Sequence, residues 1–227
     1  MEDGIFISQE GYAEDILKKF EMLNSNPIST PVECGVKLSK HDNEEKVNPN
    51  PTFFKSMVGS LRYLTCIRPD ILLGAVLVNR YMEAPTMTHL KTTKRILRYL
   101  KGTLDYGLLY SLSKHFKVFG CSDSDWARDT NDRKSTTGFV FYMGDTAFTW
   151  TSKKQPIMTL STCEAKYVVA TSSVCHAIWL RNLLKGLQML QDEATKIFAD
   201  NKSTLTLAKN LVFHDRSKHI DTRYHFI

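Results

Sequence analysis

Residues 116–122, FKVFGCS, form a largely apolar run that ends directly on Asp123, and residues 196–200, KIFAD, end in the same way on Asp200. Between them lie TTGFVFYM (136–143) and TAFTWT (146–151), two β-rich runs separated only by Gly144 and Asp145. That spacing suits a tight hairpin. A long helical stretch follows from about Ser161 to Leu184, with Gly186 as a candidate left-handed terminator. Three strands, a helix, a strand and a helix from Asn201 predict an α/β domain built on a mixed sheet, introduced by a lead-in strand at 106–110. Residues 215–227 are expected to start as helix.

The first half has a different pattern. GIFISQ (4–9) suits a short strand, and Tyr12, Ile16, Leu17, Phe20 and Leu23 recur at helical spacing. Residues 24–52 carry Pro27, Pro31, Pro49 and Pro51 and the polar run SKHDNEEK, which predicts an extended, mobile connector. Helices resume at Phe54, again at Pro69 through about Tyr81, and a third time from Thr86 to Gly102. Gly102 is a second candidate left-handed terminator. On the third helix Lys91, Lys94, Arg98 and Lys101 follow one another at steps of three, four and three, with Arg95 beside them and no acid between Ala84 and Leu104. Such a stripe is either a solvated face or a rail for a phosphate backbone, because cations one turn apart can neutralise successive phosphates.

The 227 residues carry 30 Lys and Arg against 24 Asp and Glu, a net charge of +6 that permits nucleic-acid binding without requiring it. No stretch approaches the ~20 apolar residues of a membrane span, so no membrane partner is expected. The acid-bearing start, MEDGIFISQEGYAED, lacks the order of a signal peptide, which favours an intracellular place, cytoplasmic or nuclear. Five cysteines without a C-x-x-C pair fit reduced thiols better than a disulfide framework or a zinc site. No glycine-rich phosphate loop is present, which disfavours a nucleoside-triphosphate enzyme.

Asp123, Glu164 and Asp200 are the candidate chemistry. If the strands ending in Asp123 and Asp200 are parallel neighbours, both carboxylates emerge at one sheet edge, where open α/β sheets place their sites. A helix packed on that sheet could bring Glu164 there too. Clustered carboxylates repel and imply cations, and hard oxygen donors suit Mg2+ or Mn2+. Two such ions ~4 Å apart can activate water and steady a leaving oxygen in phosphodiester cleavage. Each acid also has a plain structural use. Glu164 completes the Ser161-x-x-Glu164 capping pattern, Asp200 with Asn201 suits a helix cap, and Asp123 shares its loop with Asp125, Asp129 and Asp132.

The passages CSDSDWARDTNDRKSTTGFVFYMGDTAFTWTSKKQPIMTLSTCEAKY (121–167) and IFADNKSTLTLAKNLVFHDRSKHIDTRYHFI (197–227) resemble the ribonuclease H domain of copia-type LTR retrotransposon Pol polyproteins. Upstream, GIFISQEGYAEDILKKF, STPVE, VGSLRYLTCIRPDI and KRILRYLKGT resemble the reverse-transcriptase end and connection of the same polyproteins. The resemblance implies a thumb- or connection-like helical region over 1–105, with its linker at about 24–52. It implies a ribonuclease H-like mixed sheet flanked by helices over 106–227, shortened at its C-terminal end. It further implies an endonuclease that cuts the RNA strand of an RNA–DNA hybrid with two Mg2+ or Mn2+ ions. Asp123, Glu164 and Asp200 match the family's metal-holding carboxylates, and Asp221 is a weak substitute for a fourth. The rest of the polyprotein is the expected partner. No Y-x-D-D polymerase motif occurs. Lys166 stands where the family's EAEY block has a glutamate, a change expected to matter little. The alternative is a binding or interaction role without catalysis, in which the basic stripe and the sheet hold nucleic acid. The string Arg95-Ile96-Leu97-Arg98 also fits the RxLR pattern of secreted effectors, a label and not a mechanism, since it lies on a basic helix that the Pol resemblance already explains.

Overall fold

Helical spacing of apolar side chains builds the first of two units, Met1–Tyr110. In the computed structural model, which describes residues 4–40, 50–111, 116–209 and 224, helix α1 (Glu10–Lys19) buries Ala13, Ile16 and Leu17. Helix α2 (Pro51–Leu64) starts where the Asn50 side chain accepts the Thr52 and Phe53 N–H groups, at 2.8 and 3.3 Å, and Pro51 occupies a first-turn position that needs no donor. A 3-10 turn at Pro69–Ile71 leads into α3 (Leu72–Asn79). Helix α4 (Met87–Lys101) opens on a reciprocal cap, in which Thr86 Oγ1 accepts the His89 N–H and His89 Nδ1 accepts the Thr86 N–H. Strands β1 (Gly4–Ser8) and β2 (Gly107–Ser111) pair as a two-stranded sheet. The stretch expected as a lead-in strand thus pairs with the N-terminal strand of its own unit.

An ion pair with a buried cation is built into this unit. Arg68, 3% exposed, donates from Nε and Nη2 to the Asp70 carboxylate and from Nη1 and Nη2 to the carbonyl and hydroxyl of Thr103. It joins the start of the 3-10 turn to the residues just past α4.

The expected connector is largely packed. Leu38 is buried, its carbonyl accepts the Tyr81 hydroxyl at 2.9 Å, and Ile28, Val32 and Val36 lie against the helical core. Apolar residues at four- and two-residue steps outweigh the prolines around them. Residues 41–49 of that stretch lie outside the described residues.

The second unit, Ser111–Ile227, has the expected mixed sheet. Strands β3 (Val118–Ser124), β4 (Thr136–Met143), β5 (Thr146–Lys154) and β6 (Lys196–Phe198) are arranged in the order β5-β4-β3-β6. Strand β3 is antiparallel to β4 and parallel to β6, with Cys121 opposite Phe198. Helix α5 (Thr162–Gly186) packs on the sheet, burying Ala177, Leu180 and Leu184 against Val118 and Phe141. Gly120 is required there, because a Cβ would stand 2.7 Å from the fully buried Phe141 ring. Helix α6 (Lys202–Lys209) follows β6.

Helix α4 stops at Gly102 as expected, but neither glycine terminator takes the left-handed conformation. Gly102 has φ −78°, an ordinary helical value, and α5 runs through Gly186 so that Gln188, at φ 60°, takes the left-handed position. Residues 215–223 and 225–227, where a helix start and Asp221 were expected to contribute, lie outside the described residues. Among the described residues no helix is long and apolar enough to cross a membrane.

Candidate functional site

The parallel pairing of β3 with β6 creates the site. Asp123 and Asp200 each lie two residues beyond the Cys121–Phe198 pair, so the two strands deliver both carboxylates to one end of the sheet. Asp123 is fixed in part by its own chain, since Oδ1 accepts the Ser124 N–H at 2.7 Å. Asp200 is not the cap of α6. That role belongs to Asn201, whose Oδ1 accepts the Thr204 N–H at 3.0 Å. Both carboxylates are well exposed, at 75% and 67%.

A cation already joins them. Lys166 Nζ lies 3.2 Å from Asp123 Oδ1 and donates a hydrogen bond to Asp200 Oδ1. The ammonium holds the Asp200 carboxyl below its ordinary value, and the Asp200 carboxylate, assisted by Asp123, holds Lys166 above its own. The lysine stem is mostly covered, with 18% of the side chain exposed, so the ammonium is aimed at the strand ends.

Glu164 is used elsewhere. Its Oε2 accepts the Leu160 N–H at 2.8 Å, and its own N–H donates to Ser161 Oγ at 3.2 Å. This is a reciprocal cap displaced by one residue from the usual box. The divergence is helical geometry: two residues turn a side chain by ~200° around the axis. The position of α5 that meets the aspartates is therefore 166, not 164. The structure brings together Asp123 and Asp200 of the three expected acids. Among the described residues no three His, Cys, Asp or Glu side chains gather as a metal-holding group. Lys166 is the participant whose role the sequence reading did not assign. Its signal was the positive charge two residues past Glu164, where the family's block has a glutamate.

The acids behind Asp123 hold the loop. Asp125 accepts the Thr136 N–H. Asp129, 5% exposed, accepts the Asn131 and Asp132 N–H groups and pairs with Lys154 at 2.7 Å, while Asp132 pairs with the same ammonium at 2.8 Å. Burial alone would raise the Asp129 carboxyl. The Lys154 ammonium and the two backbone donors outweigh it and hold the group well below the carboxylate range. A folded value below the unfolded one means that the stabilisation is complete above about pH 4 and drains away as pH falls further. Asp129→Ala is expected to lower stability at pH 7 by about 2 kcal/mol, with the gap to wild type narrowing only in stronger acid. Urea titrations at pH 7, 4 and 2.5 check this.

Gln155 ties the site's two supports together. Its Nε2 donates to the Ala165 carbonyl on α5 at 2.9 Å and shares its second hydrogen between Ser124 Oγ on β3 and Thr137 Oγ1 on β4, at 3.2 and 3.1 Å. Ser124 and Ala165 are the chain neighbours of Asp123 and Lys166.

The basic stripe of α4 is half committed to its own unit. Arg95 donates to Thr30 Oγ1, Arg98 to the Asn26 carbonyl at 2.7 Å and Lys101 to the Ser25 carbonyl at 2.8 Å. These three cations pin the 25–30 segment, whereas Lys91 and Lys94 are exposed. Two grooves mark the second unit. One, of about 510 Å³, lies at the opening ends of β3 and β6, lined by Phe116, Val118, Leu190 and Phe198, away from the aspartates. The other, of about 560 Å³, runs over Phe139, Thr151, Gln155, His176 and Trp179.

Comparison with known proteins adds ancestry to this geometry. The chain is 41% identical, over 98% of its length, to the retrovirus-related Pol polyprotein from transposon TNT 1-94 of Nicotiana tabacum. It is 37% identical, over 99% of its length, to the corresponding polyprotein from transposon RE2 of Arabidopsis thaliana. The chain belongs to the copia-type retrotransposon Pol family. It spans 17% and 15% of those two polyproteins. The secreted RxLR effector protein 161 of Plasmopara viticola is 36% identical over 56% of this chain and 90% of its own. In the Pol-family chain the RILR string lies within α4, where Arg95 and Arg98 bind the 25–30 segment and Ile96 and Leu97 are fully buried. No family profile and no solved structure matches the chain.

Proposed function

We propose that the second unit is a ribonuclease H-like domain whose substrate class is the RNA–DNA hybrid, and that the chain as it stands holds such a hybrid without cutting it. The observation that carries the reading is the pair of aspartates delivered by parallel neighbours β3 and β6 to one shared cation. Kinship with Pol polyproteins along nearly the whole chain supports the nucleic-acid substrate. Two divalent ions at such a pair would supply an activated water and a neutralised leaving oxygen for hydrolysis of the RNA strand. The donors present do not fit that pair of ions. The aspartates are bound to an ammonium, and the Glu164 carboxylate is bound to the Leu160 N–H. This favours holding over cutting. Lys91 and Lys94, exposed on α4, add positive charge suited to a phosphate backbone.

An end-labelled RNA–DNA hybrid incubated with the chain and Mg2+, beside the Asp123→Asn variant, tests the proposal. Expected is retention that weakens steeply with salt, prefers the hybrid over duplex DNA of the same sequence, and leaves the label intact. Equal affinity for both duplexes would remove the hybrid as substrate class. Cutting by the wild type that disappears in Asp123→Asn would restore the nuclease and remove the silent reading.

A further inference from the structure

We propose that the Lys166 ammonium is the resident cation of the Asp123–Asp200 pair and keeps divalent metal out of it. Two adjacent exposed carboxylates repel each other, and in water the repulsion is relieved by whichever cation is held nearest. Here α5 supplies that cation covalently. The Lys166 stem is covered, its ammonium contacts both carboxylates, and no chain motion is needed to deliver it. A dication entering the pair must first displace the ammonium. The displaced charge stays tethered a few ångströms away, where like-charge repulsion continues to act on the metal. A hydrated divalent ion therefore faces a competitor at very high effective concentration. The same position on α5, and not Glu164, is the third corner of the site, so a carboxylate there would add a ligand where the ammonium now removes two.

The inference takes from the ribonuclease H reading only the expectation that a divalent ion suits this pair, and its test needs no nucleic acid. Mn2+ is titrated into the full chain and free Mn2+ is followed by electron paramagnetic resonance, for wild type, Lys166→Ala, Lys166→Glu, and Lys166→Glu combined with Asp200→Asn. Lys166 is a surface-reaching side chain, and circular dichroism together with tryptophan fluorescence verifies that each variant is folded. Lys166→Ala is expected to bind Mn2+ about tenfold more tightly than wild type. Lys166→Glu is expected to bind more tightly still, and Asp200→Asn to cancel the gain. Equal affinity in wild type and both single variants overturns the inference, as does a gain that survives Asp200→Asn. A gain confined to Lys166→Glu also overturns it, because an added ligand and not a removed competitor would then explain the result. Tighter Mn2+ binding by these variants of a chain that shows no preference for the hybrid over duplex DNA leaves this inference standing and removes only the ribonuclease H reading.

Discussion

Arg68→Ala is expected to destabilise the first unit by about 3 kcal/mol, within the range found when one partner of a buried ion pair is removed. The guanidinium is 3% exposed and binds two stretches of chain at once, Asp70 in the 3-10 turn and Thr103 just past α4. Truncation leaves the Asp70 carboxylate, 29% exposed, without its cation, and strips the Thr103 carbonyl and hydroxyl of their guanidinium donors. It also removes the cation stacked 5.4 Å from the Tyr106 ring. Lysine in its place would reach as a single point charge and cannot make the two-sided fork, so Arg68→Lys is expected to recover less than half of the loss. Far-UV circular dichroism in a urea titration follows α1 to α4 of this unit together with α5 and α6 of the other, and the tryptophan signal of the second unit separates the two transitions. An unchanged midpoint in Arg68→Ala would show that the pair contributes no net stability against its desolvation.

Gln155→Leu is expected to cost the second unit a similar amount, about 2 to 3 kcal/mol, and to loosen the aspartate end of the sheet. Leucine conserves volume but donates nothing, so Ser124 Oγ and Thr137 Oγ1 lose a buried donor at a position 2% exposed. Among the described residues Gln155 Oε1 is a buried acceptor with no hydrogen-bond partner, so the amide contributes here through its donor side. All three tryptophans, Trp126, Trp150 and Trp179, lie in this unit, so indole fluorescence in urea isolates its transition. A midpoint as high as wild type would mean that sheet and helix are held by Phe141 and its apolar neighbours without help from the amide.

The parts of this fold legible in the sequence are those set by local alternation and spacing. FKVFGCS and KIFAD announce strands that end in acids, whereas their parallel adjacency is only a condition in the sequence and is met by the β3–β6 pairing of the sheet. Helix phase was less legible. The Ser161-x-x-Glu164 pattern draws attention to the glutamate, yet the cap consumes it and turns Lys166 towards the strands. A two-residue difference decides which charge faces the site, and spacing alone does not reveal where a helix points. The basic stripe was legible as a stripe, but the carbonyls of Ser25 and Asn26 that hold Lys101 and Arg98 come from more than 70 positions earlier. Four prolines suggested an extended connector, whereas Ile28, Val32, Val36 and Leu38 pack onto the helices. Local turn chemistry cannot anticipate a surface made by distant elements.

Ser122 and Phe198, joined across β3 and β6, are 76 residues apart in the chain. On a ribosome, β3, β4 and β5 emerge as a hairpin-linked trio long before the strand that completes them. Until β6 arrives, one margin of β3 waits with open backbone groups, able to pair with whatever strand is at hand. The acidic pair that defines this protein is thus a late event of its biogenesis, and the interval before it is when the nascent chain is most open to mispairing.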